Sequence, residues 1–350
     1  MRTALIMAGG TGGHVFPGLA VADVLRERGW RVVWMGTRAG MEARLVAARG
    51  YELASIRAVA LRGKGVLAAL LLPLNLLVGF WQSARAIFRL RPDVVLGMGG
   101  YVAFPGGMMA SLLGRPLAVH EQNAVAGLTN RILAGVADKT MTAFPQALKG
   151  AEWTGNPVRG DIAALADPAA RYARRSGPLK LLVVGGSGGA QALNECVPRA
   201  IALLEPRPSV VHQAGEKNYA ALRAAYAAAG VQGELAPFIE EMARRYAEAD
   251  LVICRAGAMT VAELSVGGVA SVLVPFPHAV DDHQTANARF LADQGAAILL
   301  PQADLTPDKL AALLRTLDRP RLLQMARKAR SLGKPDAARI VAERCVELAQ

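Results

Sequence analysis

Two glycine-rich segments in this chain have the residue types and spacing to hold phosphate. Gly9-Gly10-Thr11-Gly12-Gly13 recurs, 176 residues later, as Gly185-Gly186-Ser187-Gly188-Gly189. Each copy follows a short apolar run and opens a helical pattern. In such a turn the backbone N–H groups approach phosphate oxygens, and the helix dipole adds roughly half a positive charge. Alone, a loop of this kind fits a dinucleotide, a nucleotide sugar or plain tight packing. A dinucleotide site also asks for an Asp or Glu about 20 residues on, at the end of the second strand. Here the corresponding runs end Trp34-Met35-Gly36-Thr37-Arg38 and Val210-Val211-His212-Gln213, with no acid in either. A dehydrogenase is therefore disfavoured.

Only the first loop ends in a histidine. His14, beside phosphate-type amides, is a candidate general base. Gly99-Gly100-Tyr101 and His120-Glu121-Gln122-Asn123 each follow an apolar run, at the end where open α/β sheets bind ligands. His14, Tyr101, Glu121 and Asn123 are expected to converge there. In the second half, Arg255-Ala256-Gly257-Ala258-Met259-Thr260-Val261-Ala262-Glu263 opens a helix with small residues and a Thr. It can cradle a diphosphate and offer the Glu263 carboxylate to ribose hydroxyls. The polar loop over residues 275–288, which holds His283 and Gln284, suits sugar hydroxyls. The chain has no Asp-x-Asp pair to hold a metal. A leaving diphosphate would then rely on helix N-termini and a cation such as Arg159.

The elements that must position these groups follow from the pattern. Apolar runs at residues 4–8, 32–35, 94–96, 117–119, 181–184, 210–211, 251–254 and 272–274 read as buried parallel strands. Helical stretches such as 17–28, 190–204 and 306–317 lie between them. This alternation predicts βαβ units and an α/β, doubly wound architecture. A length of 350 residues suggests two domains of about 150 each. The duplicated loop makes both Rossmann-like. The turn-forming cluster Gly155-Asn156-Pro157-Val158 sets the expected seam, giving 1–158 and 159–350. Residues 320–350 form one or two helices, and the last of them (about 330–350) have the option of packing back on the first domain.

At 53% hydrophobic and 19% charged residues, the chain is globular rather than disordered. Three cysteines without CxxC spacing read as buried, reduced thiols. The opening apolar run stops at Gly9-Gly10, as a first strand does and a leader does not. The net charge of +12 is uneven: residues 1–158 hold 17 Lys/Arg against 8 Asp/Glu, residues 159–350 hold 23 against 20. The first half therefore faces something anionic. Residues 53–92 contain no acid at all. Within them an apolar run from Val66 to Trp81, broken by Pro73 and Asn75, is flanked by Arg57, Arg62, Lys64, Arg85, Arg89 and Arg91. It is too short and interrupted to span a bilayer. An anionic membrane surface is the expected partner, rather than nucleic acid; a buried core helix is the alternative.

Taken in order, residues 9–14, 61–65, 99–101, 120–123, 156–159, 185–191, 257–263 and 275–288 resemble one bacterial family across the whole chain. It is that of the UDP-N-acetylglucosamine–N-acetylmuramyl-(pentapeptide) pyrophosphoryl-undecaprenol N-acetylglucosaminyltransferases, in glycosyltransferase family 28. The resemblance implies the glycosyltransferase B fold, two Rossmann-like doubly wound domains with a cleft between them. It implies inverting transfer of N-acetylglucosamine from UDP-GlcNAc to the 4-hydroxyl of lipid-linked N-acetylmuramoyl-pentapeptide (lipid I), giving lipid II for peptidoglycan. Peripheral attachment to the cytoplasmic face of the inner membrane follows, with no cofactor or bound metal. Residues matching the family's donor site are Thr11, Gly12, Gly13, Asn123, Arg159, Ser187, Ile239, Ala258, Met259, Thr260, Val261, Ala262, Glu263 and Gln284. Ile239 would flank the uracil through its backbone, Glu263 the ribose, and Ser187 and Thr260 the diphosphate. His14 is the favoured base, with Glu121 and Tyr101 on the acceptor side. The family varies at the position of His283, so no direct role is expected for it. The competing readings are a 2-epimerase or natural-product glycosyltransferase using the same donor, or a catalytically inactive peripheral membrane scaffold.

Overall fold

The computed structural model of the chain describes residues 1–57, 72–186 and 189–350. It divides into two compact units. One comprises Met1–Arg159 together with Pro335–Gln350, the other Gly160–Lys334.

The first unit is built on seven strands: β1 (Thr3–Met7), β2 (Arg31–Gly36), β3 (Glu52–Ser55), β4 (Val94–Gly97), β5 (Leu117–Glu121), β6 (Lys139–Thr142) and β7 (Glu152–Trp153). Their order is β3-β2-β1-β4-β5-β6-β7, with every pairing parallel. The second unit repeats the plan with β8 (Lys180–Val184), β9 (Ser209–Gln213), β10 (Glu234–Ala236), β11 (Leu251–Cys254), β12 (Ser271–Leu273) and β13 (Ala297–Leu299). Its order is β10-β9-β8-β11-β12-β13, again parallel. These are the two doubly wound α/β domains that the alternating pattern predicts.

The central strands are apolar because helices cover both of their faces. All five residues of β1 are buried. On one side of the first sheet Ile6, Leu19, Trp34 and Met98 pack with Val341, Ala342 and Cys345. On the other side Leu5, Met7, Val33 and Val95 pack with Ile87, Leu117 and Leu133. The second sheet is covered by Leu193, Val197, Leu222, Leu310 and Leu322. All three cysteines are buried and unpaired.

The end of the chain divides between the units. Helix Arg319–Leu332 belongs to the second. Helix Ala337–Leu348 belongs to the first, where it lies on helix Gly12–Glu27 and strands β4 to β6. Arg344 forks onto Glu152 at 2.9 Å, and Arg28 meets Glu343 at 3.2 Å. The Arg344 guanidinium, helped by Lys139, holds the Glu152 carboxyl down to about 2.

Two expected helices are redrawn. The helix expected over 17–28 spans Gly12–Glu27. Thr11, extended at φ −133° and ψ 156°, is its N-cap, and the His14 and Val15 amides close on the Thr11 carbonyl at 3.1 and 3.2 Å. Gly12, Gly13 and His14 are therefore the first helical turn, and Pro17 is tolerated inside it. In the apolar run from Val66 to Trp81, residues 66–71 lie outside the described residues. From Leu72 the chain is a helix to Leu90, with Pro73 in its first turn, where a missing N–H costs nothing.

Candidate functional site

In both sheets the strand order reverses between the first and fourth strands, β1 with β4 and β8 with β11. At such a switch point neighbouring loops leave in opposite directions and open a crevice beyond the carboxyl ends of the strands, where ligands bind. In the first unit the loops that end β1, β4 and β5 carry Thr11 to His14, Tyr101, and Glu121 to Asn123. The fold thus brings these candidates to three adjacent strand ends.

Close approach of backbones shapes this crevice. Gly100, at φ +79°, comes so near the Gly9 carbonyl that a Cβ would stand 2.3 Å from that oxygen. A Cβ on Gly99, at φ +92°, would lie 3.1 Å from the His14 ring and from Asn130 Nδ2. Glycine at both positions lets the loop after β4 press against the first glycine loop and flank the His14 imidazole. The Tyr101 ring lies over Gly10.

His14 is half-buried, and its Nδ1 is 2.7 Å from Gln122 Oε1. Gln122 Nε2 donates to the His120 carbonyl at 2.8 Å and meets His120 Nδ1 at 3.1 Å. His120 Nε2 is 2.9 Å from the Gly155 carbonyl. His120 is wholly buried, and burial pushes its imidazole down to about 4, so it is neutral near pH 7.

Glu121 faces the other way, as strand alternation requires. The residue is 1% exposed, and its carboxylate is surrounded by its own loop. Oε1 accepts from the Asn123 amide at 2.8 Å and from Asn123 Nδ2 at 3.3 Å. Oε2 accepts from Gly127 N at 3.1 Å and Asn130 Nδ2 at 2.8 Å. The geometry gives Glu121 the work of shaping residues 121–130 and orienting Asn123.

In the second unit, a depression of about 680 Å³ lies at the switch point. That volume suits a nucleotide-sized ligand. Gly185, Gly186 and Gly189 line one side; Arg255, Thr260, Phe276 and Gln284 line the other. Ser187 and Gly188 lie outside the described residues, as do Leu61 to Gly65 with Arg62 and Lys64. Thr260 stands in the first turn of helix Ala258–Gly267, whose N-cap is Gly257. The Gln284 amide is fixed by the Phe276 N–H, which donates to Oε1 at 2.9 Å. Arg255 is directed inward: its guanidinium donates to the Val274 and Pro275 carbonyls at 3.2 Å and to Gln302 at 2.6 Å.

The other donor-site candidates are not among the residues lining this depression. Glu263 is one turn further along, and the Tyr246 hydroxyl donates to its Oε2 at 3.1 Å. Ala258 and Ile239 are buried at 7% and 8% exposure, so a ligand would meet their backbone. Val261 is 0% exposed and its N–H closes on the Gly257 carbonyl, which leaves it a packing role; Ala262, at 8%, packs beside it. Met259 and Arg159 are half-buried. His283 Nδ1 donates to the Val280 carbonyl at 2.7 Å.

Reading the sequence missed several groups that organise these sites. Gln122 and His120 lie in the segment His120–Asn123, yet nothing in their spacing shows that they link to His14. Glu42, on the helix Met41–Ala48, is fully buried behind the first glycine loop and accepts from the Thr37 amide at 2.9 Å and hydroxyl at 2.7 Å. Arg171 binds the far end of helix Ala258–Gly267, and no local motif marks it.

The surface of helix Leu72–Leu90 carries the remaining candidate. Leu74, Leu77, Trp81 and Phe88 are 59–66% exposed, and Arg85 and Arg89 are exposed among them. Their spacing puts them on one helical stripe. Ser83 and Ile87, on the opposite stripe, are packed into the unit. The buried-helix alternative thus describes one face only. No helix among the described residues is long and apolar enough to cross a membrane.

The chain matches the glycosyltransferase family 28 N-terminal domain over residues 4–142 and the family's C-terminal domain over residues 180–341. It is 66% identical, over 100% of its own length and 99% of the relative's, to the UDP-N-acetylglucosamine--N-acetylmuramyl-(pentapeptide) pyrophosphoryl-undecaprenol N-acetylglucosamine transferase of Azoarcus sp. strain BH72. Identity to the protein of the same name from Aromatoleum aromaticum is 67%, over 100% and 98% of the two chains. Among solved structures, Acinetobacter baumannii MurG superposes with a TM-score of 0.88 at 44% identity, covering 99% of this chain and 100% of that one. With both domain matches in sequence order and this likeness over its full length, the chain belongs to glycosyltransferase family 28.

Proposed function

We propose that this protein transfers N-acetylglucosamine from UDP-GlcNAc to the 4-hydroxyl of undecaprenyl-pyrophosphoryl-N-acetylmuramoyl-pentapeptide, lipid I, and so forms lipid II for peptidoglycan. One observation carries the reading: relatives 66–67% identical from end to end bear this transfer in their name. The same observation disfavours the 2-epimerase, natural-product and inactive-scaffold alternatives.

The reaction is a single displacement. His14 accepts the proton of the acceptor hydroxyl, and the oxygen attacks the anomeric carbon. The bond from that carbon to the diphosphate breaks, UDP departs, and the α-linked donor becomes a β-linked product. One base and a stabilised leaving group suffice, and no carboxylate nucleophile is needed. That agrees with Glu121 being turned into its own loop; it acts as a positioning residue for Asn123. Tyr101, packed on Gly10, is assigned to the acceptor. In the second unit the depression beside Thr260 and Gln284 receives the donor, and the first-turn N–H groups of helix Ala258–Gly267 face its diphosphate. Ser187 shares that task. Glu263, steadied by Tyr246, takes the ribose, and the Ile239 backbone the uracil. Thr11, Gly12, Gly13, Asn123 and Arg159 complete the donor-binding set.

Purified protein given labelled UDP-GlcNAc and a lipid-linked muramoyl-pentapeptide acceptor is expected to yield a labelled disaccharide lipid. Donor hydrolysis or epimerisation without that product would overturn the reading and promote the epimerase alternative.

The same proposal places the enzyme peripherally on the cytoplasmic face of the inner membrane. The support is the exposed apolar and basic stripe of helix Leu72–Leu90, flanked by Arg57 and Arg91. An amphipathic helix of this kind lies in the lipid interface. Each basic residue near an anionic surface contributes about 1 kcal/mol, or roughly fivefold in affinity. Replacing Arg85 and Arg89 together by Ala should weaken binding to phosphatidylglycerol-containing vesicles by roughly 25-fold, with UDP affinity unchanged. Unaltered vesicle binding in a co-sedimentation assay would place the lipid contact elsewhere.

A further inference from the structure

We propose that Gln122 is a positioning residue that sets the tautomer of His14, so that Nε2 is the nitrogen that accepts the substrate's proton. This rests on His14 acting as the base, and adds which nitrogen acts and what holds it.

Two backbone carbonyls decide the assignment, because a carbonyl oxygen can only accept. Gln122 Nε2 is 2.8 Å from the His120 carbonyl, so that end of the side chain must be the NH₂ group. The other end, Oε1, then faces His14 Nδ1 at 2.7 Å. An amide oxygen also only accepts, so His14 Nδ1 must carry a hydrogen. Independently, His120 Nε2 lies 2.9 Å from the Gly155 carbonyl and must donate to it. In a neutral ring this leaves a lone pair on His120 Nδ1, which meets the second hydrogen of Gln122 Nε2 at 3.1 Å. Every group has one consistent role: Gly155 accepts from His120, His120 from Gln122, and Gln122 from His14. Reversing any member sets two lone pairs or two hydrogens against each other.

The chain of bonds is well buried and short of alternatives. His120 is 0% and Gln122 1% exposed, so water has little access to replace a lost partner. Burial keeps His120 uncharged, which preserves its lone pair for Gln122. The ring of His14 is held from another side by Gly99, whose place would not take a Cβ without pressing on Cε1 and Nδ1. Position and protonation are thereby both set before substrate arrives. The arrangement imposes the Nδ1–H form, whereas a free neutral imidazole favours the Nε2–H form, in which Nε2 has no lone pair to offer. Gly155 lies next to Asn156 and Pro157, so the base is anchored to the segment where the chain leaves the first unit at Arg159.

The test uses the full-length protein labelled with ¹⁵N-histidine, with the His14 signals assigned from their loss in His14→Gln. Long-range ¹H–¹⁵N correlation of the neutral ring should show a protonated Nδ1 and a bare Nε2. In Gln122→Met, which keeps the side chain's length but neither accepts nor donates as the amide does, the signals should move to the Nε2–H form. Turnover should then fall roughly 10–10²-fold, part of the 10²–10⁴ that a general base supplies, with KM for the donor unchanged. Gln122→Glu, whose carboxyl when protonated donates to the His120 carbonyl while its other oxygen accepts from His14 Nδ1, should recover the Nδ1–H form. A bare Nδ1 in the wild-type protein, or an Nδ1–H form that persists in Gln122→Met, would overturn the proposal; the wild-type spectrum decides even where a variant fails to fold. A tautomer that follows Gln122 while His14→Ala turns over normally would instead sink the reading of His14 as base and leave the positioning intact.

Discussion

His14→Ala is expected to lower kcat by about 10²–10⁴ while the protein stays folded and continues to bind UDP. The acceptor hydroxyl is a poor nucleophile until its proton is taken, and a positioned base supplies that much of the barrier. The residue is in the first turn of helix Gly12–Glu27, beyond the carboxyl end of the wholly buried β1. Its ring is held by Gln122 on one side and Gly99 on another. Loss of the imidazole removes an interaction made as the hydroxyl ionises. Accordingly kcat and kcat/KM for the acceptor should fall together. Single-turnover measurements with saturating donor and lipid acceptor distinguish this from slowed product release. Near-normal turnover would move the base elsewhere, with Tyr101 the next candidate in the same crevice. Glu121 is a poorer one, since both carboxylate oxygens already accept hydrogen bonds within residues 121–130.

Arg171→Met should destabilise the second unit by about 3–5 kcal/mol, the lower part of the range set by roughly 1–3 kcal/mol for each of the buried carbonyls left without a donor. Arg171 is 9% exposed, and its guanidinium donates to the Tyr246 carbonyl at 3.1 Å, to Gly267 at 2.6 Å and to Gly268 at 2.5 Å. Gly267 ends the helix that starts at Ala258, and the last carbonyls of a helix have no partner within it. Arg171 therefore closes the far end of the element whose near end carries Thr260. Burial, with Arg175 nearby, lowers the guanidinium to about 10, which leaves it charged near pH 7 and a strong donor. Methionine keeps the stem's packing but leaves three carbonyls facing an apolar interior. For a unit of this size about 2–4 °C of melting temperature is lost per kcal/mol, so the transition should drop by roughly 6–20 °C. Calorimetry of the full chain, with UDP binding measured well below the transition, checks both parts. A drop under about 2 °C would mean that other donors reach those carbonyls after relaxation.

The central strands were legible in the sequence because burial on both faces demands unbroken apolar runs. β1, β2, β4, β5, β8, β9, β11 and β12 all show them. β13, Ala297–Leu299, is apolar but only three residues long and lies at a sheet edge; β3, β6, β7 and β10 show no such run. They stand toward the margins of their sheets, run two to four residues, and mix Glu, Lys, Thr or Ser with a few apolar positions. A half-covered strand needs no continuous apolar run, and so leaves no clear trace. Helix Gly12–Glu27 began earlier than expected for a related reason: glycines and Pro17 speak against a helix locally, while the Thr11 cap and the packing of Val15 and Leu19 on β1 and β2 settle it.

What the sequence determined by itself was the two-fold α/β plan, the family, and the residue types gathered at the strand ends. Those depend on patterns within a few tens of residues and on motifs in a fixed order. What only the tertiary structure decided was how polar groups pair across long separations. His14 and Gln122 are 108 positions apart, His120 and Gly155 are 35 apart, and Arg171 reaches carbonyls up to 97 residues away. A hydrogen bond needs its donor and acceptor within about 3 Å and correctly oriented. That condition is met by strand register, by which face of β5 a side chain leaves, and by how closely two glycine backbones approach, none of which local spacing encodes. The histidine at the end of the first loop could be found by reading; that its Nδ1 meets Gln122, just past the end of β5, could not.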